Sequence, residues 1–167
     1  MFERLNTPEE AYNFKLGAAL TMEKTVLDIL DESIDKAQHE EVRQLLQQHR
    51  RETEQHVENL EQVFAAMEWG VDDSPCPAID GLKAEGKANL KKTDDALVDG
   101  VILQGAAEVE HHEIGVYENL ILNARAMKRE DVVDLLRKNL SSEEETLRKV
   151  MATQEEVASR ALAHTAP

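Results

Sequence analysis

Four stretches of the sequence repeat inward-facing residues every seven positions, and this spacing limits the fold more than any other feature. In the second stretch the series is Val42, His49, His56 and Val63. Residues seven apart lie on one face of an α-helix, so each stretch predicts a helix that buries one face against its neighbours. Aromatic residues make up only 4% of the chain, which leaves little material for a β-sandwich or barrel. We expect an all-α protein.

The predicted helices cover residues 7–35, 38–69, 95–127 and 129–160. The first begins with Thr7 as the capping residue, Pro8 at the first helical position and Glu10 three residues after the cap. Residues 70–94 lose the periodicity, apart from a short amphipathic piece from Ile79 to Leu90. A link of this length usually carries the chain from one end of a helical bundle to the other. The sequence therefore predicts a four-helix bundle with a long crossover between its second and third helices.

Titratable residues interrupt the buried face near the middle of every predicted helix. They are Glu23 in the first helix, His49, Glu52 and His56 in the second, Glu110 and Glu113 in the third, and Glu143 in the fourth. In an antiparallel bundle these side chains would meet at one level. Burying a lone carboxylate costs several kcal/mol, so five at one level require compensating positive charge.

Two divalent cations would supply that charge. Carboxylates that bridge two ions, with imidazoles in the remaining positions, are the ligands of di-iron and di-manganese centres in helical bundles. The residues on each helix are three or four apart, which places them on the same face. With one cysteine in the chain, the ligand spacing of a structural zinc or iron–sulfur site is absent. We predict metal binding by all seven residues, with iron or manganese as the metal and two ions bound.

A second interpretation needs no metal. An inward histidine is often hydrogen-bonded to a neighbouring acid, and a polar layer can set the register of a bundle. The protein would then be a non-enzymatic stress or interaction protein. Tyr117 shares a face with Glu110 and Glu113 and is within reach of a ligand carboxylate, although the sequence favours a packing role.

Charge and composition exclude several other functions. The net charge of -15 argues against binding to nucleic acid or to an anionic membrane, because such binding needs Lys and Arg facing phosphates. The N-terminus has neither the pattern of a signal peptide nor a long apolar stretch, so we expect a cytoplasmic protein. No glycine-rich phosphate loop or paired nucleophile and base is found in the sequence. Cys76 lies between two prolines and is expected to pack under a turn.

Several separated stretches resemble one family, the YciE/YciF-type bacterial stress proteins. The resemblance runs from Thr7 to about Val157, and its most specific parts are MEK around Glu23, HRRETEQHVENLEQV from His49, CPAIDGL from Cys76 and VEHHEIGVY from Val109. It implies a ferritin-like bundle forming one domain over residues 1–167, and association into a homodimer. It leaves the biochemical activity open.

The resemblance implies that Glu23, Glu52, Glu110, Glu113 and Glu143 are the helix carboxylates of a di-metal centre, with His49 and His56 as the imidazoles. The chain departs from the ferritin-like pattern in two places. Both histidines lie on the second helix, whereas related di-iron proteins usually carry one Glu-x-x-His on each of two helices. Ser141 and Ser142 also stand before Glu143, where the family tends to have paired acids. A second ion would therefore be bound mainly by oxygen, or be absent.

Overall fold

Five α-helices account for most of residues 4–165, the part of the chain that this computed structural model describes. Their bounds are Pro8–Lys36 (α1), Glu40–Ala66 (α2), Pro77–Leu90 (α3), Val98–Ala126 (α4) and Glu130–Thr165 (α5). A 3-10 turn at Asp95–Leu97 precedes α4, and residues 4–165 contain no β-strand. The prediction of an all-α bundle is confirmed.

The N-terminus of α1 shows how local sequence determines a helix end. The hydroxyl of Thr7 accepts a hydrogen bond from the Glu10 amide at 3.1 Å. The Glu10 carboxylate in turn accepts one from the Thr7 amide at 3.3 Å. These two bonds satisfy backbone donors that the helix itself leaves unpaired. The predicted capping pattern is therefore present.

The four long helices form a ring in which α1 packs against α2 and α4, while α5 packs against the same two helices. Tyr12 near the start of α1 packs edge-on against Trp69 after α2, at 6.1 Å between ring centroids. At the opposite end, Asp99 near the start of α4 bonds to the turn between α1 and α2. Each long helix is thus antiparallel to both of its neighbours in the ring.

The crossover contains a full helix, α3, which runs along the bundle from the end of α2 towards the start of α4. Pro77 occupies its first turn, where the missing N–H costs nothing, and Ile79 is completely buried. Two ion pairs hold α3 against α1: Lys83 with Asp28 at 2.8 Å and Lys87 with Glu32 at 2.9 Å. The amphipathic piece predicted from the sequence corresponds to α3. Its apolar face packs into the groove between α1 and α4.

Both ends of α2 are held by charged side chains from other parts of the bundle. The His39 residue at its N-terminus provides no side-chain cap. The buried Asp99 carboxylate accepts hydrogen bonds from the amides of Gln38 and His39 instead, each at 2.8 Å. At the other end, the Arg129 guanidinium donates to the Ala66 carbonyl at 2.6 Å. An anion at the start and a cation at the end both complement the helix dipole, and they set the position of α2 along the bundle.

The core is one cluster of buried apolar side chains, which includes Leu16, Leu20, Leu30, Leu46 and Phe64. Buried acids and histidines lie near the middle of the same bundle. Among the helices of residues 4–165, none combines the length and apolar character needed to span a membrane.

Candidate metal centre

The middle of the bundle contains six of the seven residues that the sequence singles out, and all six are buried. Each is at most 2% exposed. They are Glu23 from α1, His49 and His56 from α2, Glu110 and Glu113 from α4, and Glu143 from α5. The four long helices therefore each contribute to one layer, as expected from the position of these residues along each helix.

The six side chains form two groups that share one carboxylate. In the first group, which we call the His49 half, His49, Glu110, Glu113 and Glu143 each place a ligand atom within 4.8 Å of the others. In the second, the His56 half, Glu23, His56 and Glu143 do the same. Glu143 is the residue that belongs to both halves.

Close approaches within the two halves do not have the geometry of hydrogen bonds. His49 Nε2 lies 2.8 Å from Glu110 Oε1, and His56 Nδ1 lies 2.8 Å from Glu143 Oε1. All four atoms are nevertheless without a properly oriented hydrogen-bond partner among residues 4–165. These imidazole nitrogens and carboxylate oxygens are therefore close to each other but not engaged in hydrogen bonds within the described residues.

Most of the carboxylate oxygens in this layer are likewise without a hydrogen-bond donor. Within the described part of the chain, both oxygens of Glu110, Glu113 and Glu143 and one oxygen of Glu23 have no such partner. Buried polar atoms in proteins are almost always hydrogen-bonded, because an unpaired one costs about 1–3 kcal/mol. A set of this size, all in one layer, fits the donor set of a metal centre built from oxygen and imidazole nitrogen.

Burial dominates the electrostatics of the His49 half. It raises the pKa of Glu110 and of Glu143 to about 8. It also raises the pKa of Glu113 well above its ordinary value, with the charges of Glu143, Glu23 and Glu110 adding to the effect. Burial lowers the pKa of His49, so this imidazole is neutral at pH 7 and has a lone pair free for a metal. Without metal, protons take the place of cations here.

The His56 half has the opposite balance. Burial lowers the pKa of His56, but the nearby carboxylates of Glu143 and Glu23 outweigh it and raise the pKa to about 10. A protonated His56 therefore neutralises part of the acidic charge when no metal is bound. A divalent cation would displace that proton, since a metal-bound imidazole must be neutral.

A chain of hydrogen bonds supports the His56 half. Asn59 Nδ2 donates to Asn139 Oδ1 at 2.6 Å, and Asn139 Nδ2 donates to the Tyr117 hydroxyl at 2.9 Å. The Tyr117 hydroxyl then donates to Glu23 Oε1. Because the Asn139 amide can only donate to it, the tyrosine proton must point at Glu23. This leaves the other oxygen of Glu23, Oε2, facing His56 Nδ1 at 3.6 Å.

These supporting residues extend the sequence predictions. The sequence favours packing for Tyr117, and the structure shows a completely buried ring whose hydroxyl also orients a predicted ligand. Asn59 and Asn139 were missed, although a signal was present. Asn59 lies three residues after His56, and Asn139 lies four residues before Glu143, so both fall on the inner face by periodicity.

Glu52, the seventh predicted ligand, belongs to neither half of the centre. Its side chain is partly buried, and its carboxylate accepts hydrogen bonds from Gln48 Nε2 at 2.7 Å and from Thr146 Oγ1 at 3.3 Å. It lines a polar recess on the surface between α2 and α5, together with His56 and Asn59. Its role as a ligand stays a prediction.

Cys76 packs at the start of α3, and its sulfur lies 3.9 Å from His112 Nε2. The thiol is 9% exposed, in agreement with the packing role expected for it. His111 is exposed and His112 is partly buried, and neither belongs to the two halves of the centre.

Comparison with known proteins agrees with this fold. The chain is similar to YcfI from Rhodopseudomonas palustris, whose structure is described as that of a putative structural protein, with 31% identity and a TM-score of 0.86 over 90% of this chain and 97% of that one. It is also similar to the E. coli stress protein YciF, with 22% identity and a TM-score of 0.87 over 93% and 99% of the two chains. A protein from Xanthomonas campestris pv. campestris has 19% identity and a TM-score of 0.74 over 95% and 98%.

No curated protein matches the sequence. The model of one family matches residues 7–163, nearly the whole chain, and this family is described as a domain of unknown function, DUF892. The match agrees with the resemblance to YciF-type proteins found in the sequence. The chain therefore belongs to the DUF892 family.

Proposed function

We propose that this protein binds two divalent ions, of iron or manganese, in the layer of buried acids and histidines. The single observation that carries the proposal is the position of Glu143, which belongs to both groups of potential ligands. A buried carboxylate that belongs to two such groups can bind one cation with each oxygen and so bridge two cations. Without cations, its two oxygens have no hydrogen-bond donor among the described residues.

Each residue of the layer has a distinct task in this proposal. His49, Glu110 and Glu113 would hold one ion, His56 and Glu23 would hold the other, and Glu143 would be available to both. Tyr117 orients Glu23, and the surrounding apolar core excludes water. Ions held in this way supply redox and Lewis-acid chemistry towards dioxygen or peroxide. A stress-related role follows as part of the proposal, since the similar protein YciF is described as a stress protein.

The first test is elemental analysis of untagged protein purified without chelator. We expect about two iron or manganese ions per chain. The double variant Glu23→Ala, Glu110→Ala should lose both, since it removes a carboxylate from each half. A matched control is Glu108→Ala, Glu118→Ala, which removes two exposed acids from α4 and should keep the metal. Protein that stays free of metal after reconstitution with both metals would refute the proposal.

A second candidate is a structural role for the same layer. It is favoured by the 2.8 Å approaches of His49 to Glu110 and of His56 to Glu143, which pair each imidazole with an acid. The similar protein YcfI is described as a putative structural protein. In this case Glu52→Gln with His56→Gln should leave folding and partner binding intact. A marked loss of thermal stability that added metal reverses would contradict the structural role.

The homodimer and the cytoplasmic location remain proposals that follow from the sequence. Light scattering on the purified full chain would measure the oligomeric state directly. Fractionation of cells that express the chain would test the location.

A further inference from the structure

A cavity of about 60 Å³ lies beneath the crossover helix and reaches the candidate metal centre. Its walls come from α1, α2, α3 and α4, and they include Leu30, Leu90 and Val109. Two residues at its inner end are His49 and Glu110, which are 2% and 0% exposed. One end of the cavity therefore meets the His49 half of the centre.

The cavity is lined mainly by apolar side chains, and its polar residues lie at the two ends. At the outer end, Lys83, Lys87 and Glu32 form the ion pairs that hold α3 against α1. Since one water needs only roughly 10–15 Å³ of such space, the cavity has room for a small molecule. Apolar cavities in proteins stay dry and bind apolar molecules such as xenon.

The route to the other imidazole has the opposite character. His56 borders a surface recess of about 430 Å³ whose other lining residues include Glu52, Gln55, Asn59 and Lys138. Hydrated ions and peroxide keep hydrogen bonds in such a polar recess, whereas they would lose them in the cavity under α3. An uncharged diatomic molecule loses almost nothing on leaving water for an apolar space.

Two glycines create part of this space. Gly86 in α3 and Gly105 in α4 both line the cavity, and a Cβ added at either would meet no atom within 4 Å. Glycine inside a helix is less stable than alanine by about 0.5–1 kcal/mol, and neither residue has a positive φ that would require glycine. Because glycine has no side chain, Gly86 and Gly105 leave part of the cavity open at a small cost in helix stability.

From these observations we propose that the cavity beneath α3 binds dioxygen and leads it to the His49 half of the metal centre. The delivery of dioxygen to a metal ion rests on the proposed function. The binding of dioxygen in the apolar cavity does not depend on a metal. The two routes then separate by polarity: dioxygen reaches His49, and polar species reach His56.

The test uses metal-free full-length protein and dioxygen itself as the probe. Dioxygen is paramagnetic, so methyl groups near a site that it occupies relax faster in NMR spectra under oxygen pressure. We expect the methyls of Leu30 and Val109 to show a severalfold larger enhancement than those of Leu16 and Val132, which are also buried but do not line the cavity. Equal enhancement at all four residues would overturn the proposal.

Two matched variants of α4 locate the effect. Gly105→Leu fills the cavity and should abolish the extra enhancement at Leu30 and Val109. Gly115→Leu makes the same change at a glycine that also has no atom within 4 Å of an added Cβ but lines a different recess, and it should preserve the enhancement. If Gly105→Leu retains the full enhancement, the cavity is not the binding site. Gly86→Leu repeats the test from α3.

Metal-loaded protein gives a second readout. Gly105→Leu should slow oxidation of bound ferrous iron by dioxygen severalfold and leave its oxidation by peroxide unchanged. Equal slowing with both oxidants, or no slowing with either, would overturn the entry route. A protein that binds dioxygen in the cavity but never binds metal would refute the proposed function alone, so the two failures are distinguishable.

Discussion

The two halves of the candidate metal centre differ in how the protein holds them. In the His56 half, Tyr117 donates a hydrogen bond to Glu23 and is itself held by Asn139. In the His49 half, neither nitrogen of His49 and neither oxygen of Glu113 has a hydrogen-bond partner within residues 4–165. One half is positioned by the polypeptide, and the other has acids and an imidazole in place without supporting hydrogen bonds.

This difference indicates which half of the candidate metal centre depends more on a bound cation. Supporting hydrogen bonds fix a ligand before the metal arrives, so we expect Glu23 in the His56 half to keep its orientation without metal. The His49 half has three carboxylates, counting Glu143, around one imidazole that burial keeps neutral. Its charge is balanced only by protons or by a metal ion. We therefore expect the loss of metal to change the structure of the His49 half more than that of the His56 half.

Removal of the shared carboxylate should have the largest effect, because it damages both halves at once. Glu143→Ala should reduce the metal content from about two ions per chain to background, since a bridge contributes to both sites. The control is Glu144→Ala, which removes an exposed acid at the next position. Elemental analysis measures both variants. Retention of one full ion in Glu143→Ala would show that the halves are independent sites.

The metal-free protein should lose stability as the pH rises from about 4.5 to about 8. Glu110 and Glu143 have a pKa of about 8 in the folded protein against an ordinary value of 4.5, so between these values the folded state holds protons that the unfolded chain has released. The slope is at most about 1.4 kcal/mol per pH unit for each such proton. The stabilisation is complete below pH 4.5 and is lost as the pH passes through 8.

His56 acts in the same direction at higher pH, because its pKa is raised from 6.5 to about 10. Urea unfolding of metal-free protein across the range measures the effect. Saturating manganese should reverse the slope, since metal binding requires the deprotonated acids. A metal-free protein whose stability increases with pH over this range would contradict the assignment of buried, protonated glutamates.

The hydrogen bond from Tyr117 to Glu23, which distinguishes the His56 half, can be removed by deleting the tyrosine hydroxyl oxygen. Tyr117→Phe leaves Glu23 Oε1 buried without its donor, and we expect a loss of about 1–3 kcal/mol in the free energy of unfolding. Tyr12→Phe is the matched control, since the Tyr12 ring is 4% exposed and its hydroxyl has no hydrogen-bond partner in the described part of the chain. That variant should be neutral or slightly stabilised.

Urea unfolding of both phenylalanine variants decides this comparison. If Tyr117→Phe and Tyr12→Phe have equal stability, the bond to Glu23 contributes nothing net. Metal content provides a second readout, because only Tyr117→Phe should weaken binding at the His56 half.

The smallest effect is expected for Glu52→Gln. The amide has the shape of the carboxylate. Its oxygen can still accept the hydrogen bond from Gln48, and its NH2 group can donate to the Thr146 hydroxyl in place of the bond that Thr146 donates to the carboxylate. Because Glu52 lies outside both halves, the variant should keep two ions per chain and lose only part of the favourable potential for cations. Calorimetric titration with manganese measures both. The loss of a whole ion would instead support the sequence prediction that Glu52 is a ligand.

Periodicity explains why so much of the bundle and its polar layer could be predicted. A residue seven positions from a buried one shares its face of the helix, so His49 and His56 had to point inward once Val42 and Val63 did. Glu52 lies three residues from His49 and four from His56, at the edge of that face. Whether such a residue turns inward depends on the neighbouring helix, which its own sequence does not specify.

The helical class, the capped start of α1 and the acids and imidazoles at mid-helix follow from the amino-acid sequence alone, because spacing and local hydrogen bonding act over a few residues. Three features depend on how the helices pack: the sharing of Glu143 by the two halves, the hydrogen bond from Tyr117 to Glu23, and the cavity beneath α3 that reaches His49. Tyr117 and Glu23 are 94 residues apart. Contacts of this kind depend on how far one helix is shifted and rotated against another, and that is settled by packing of the whole bundle.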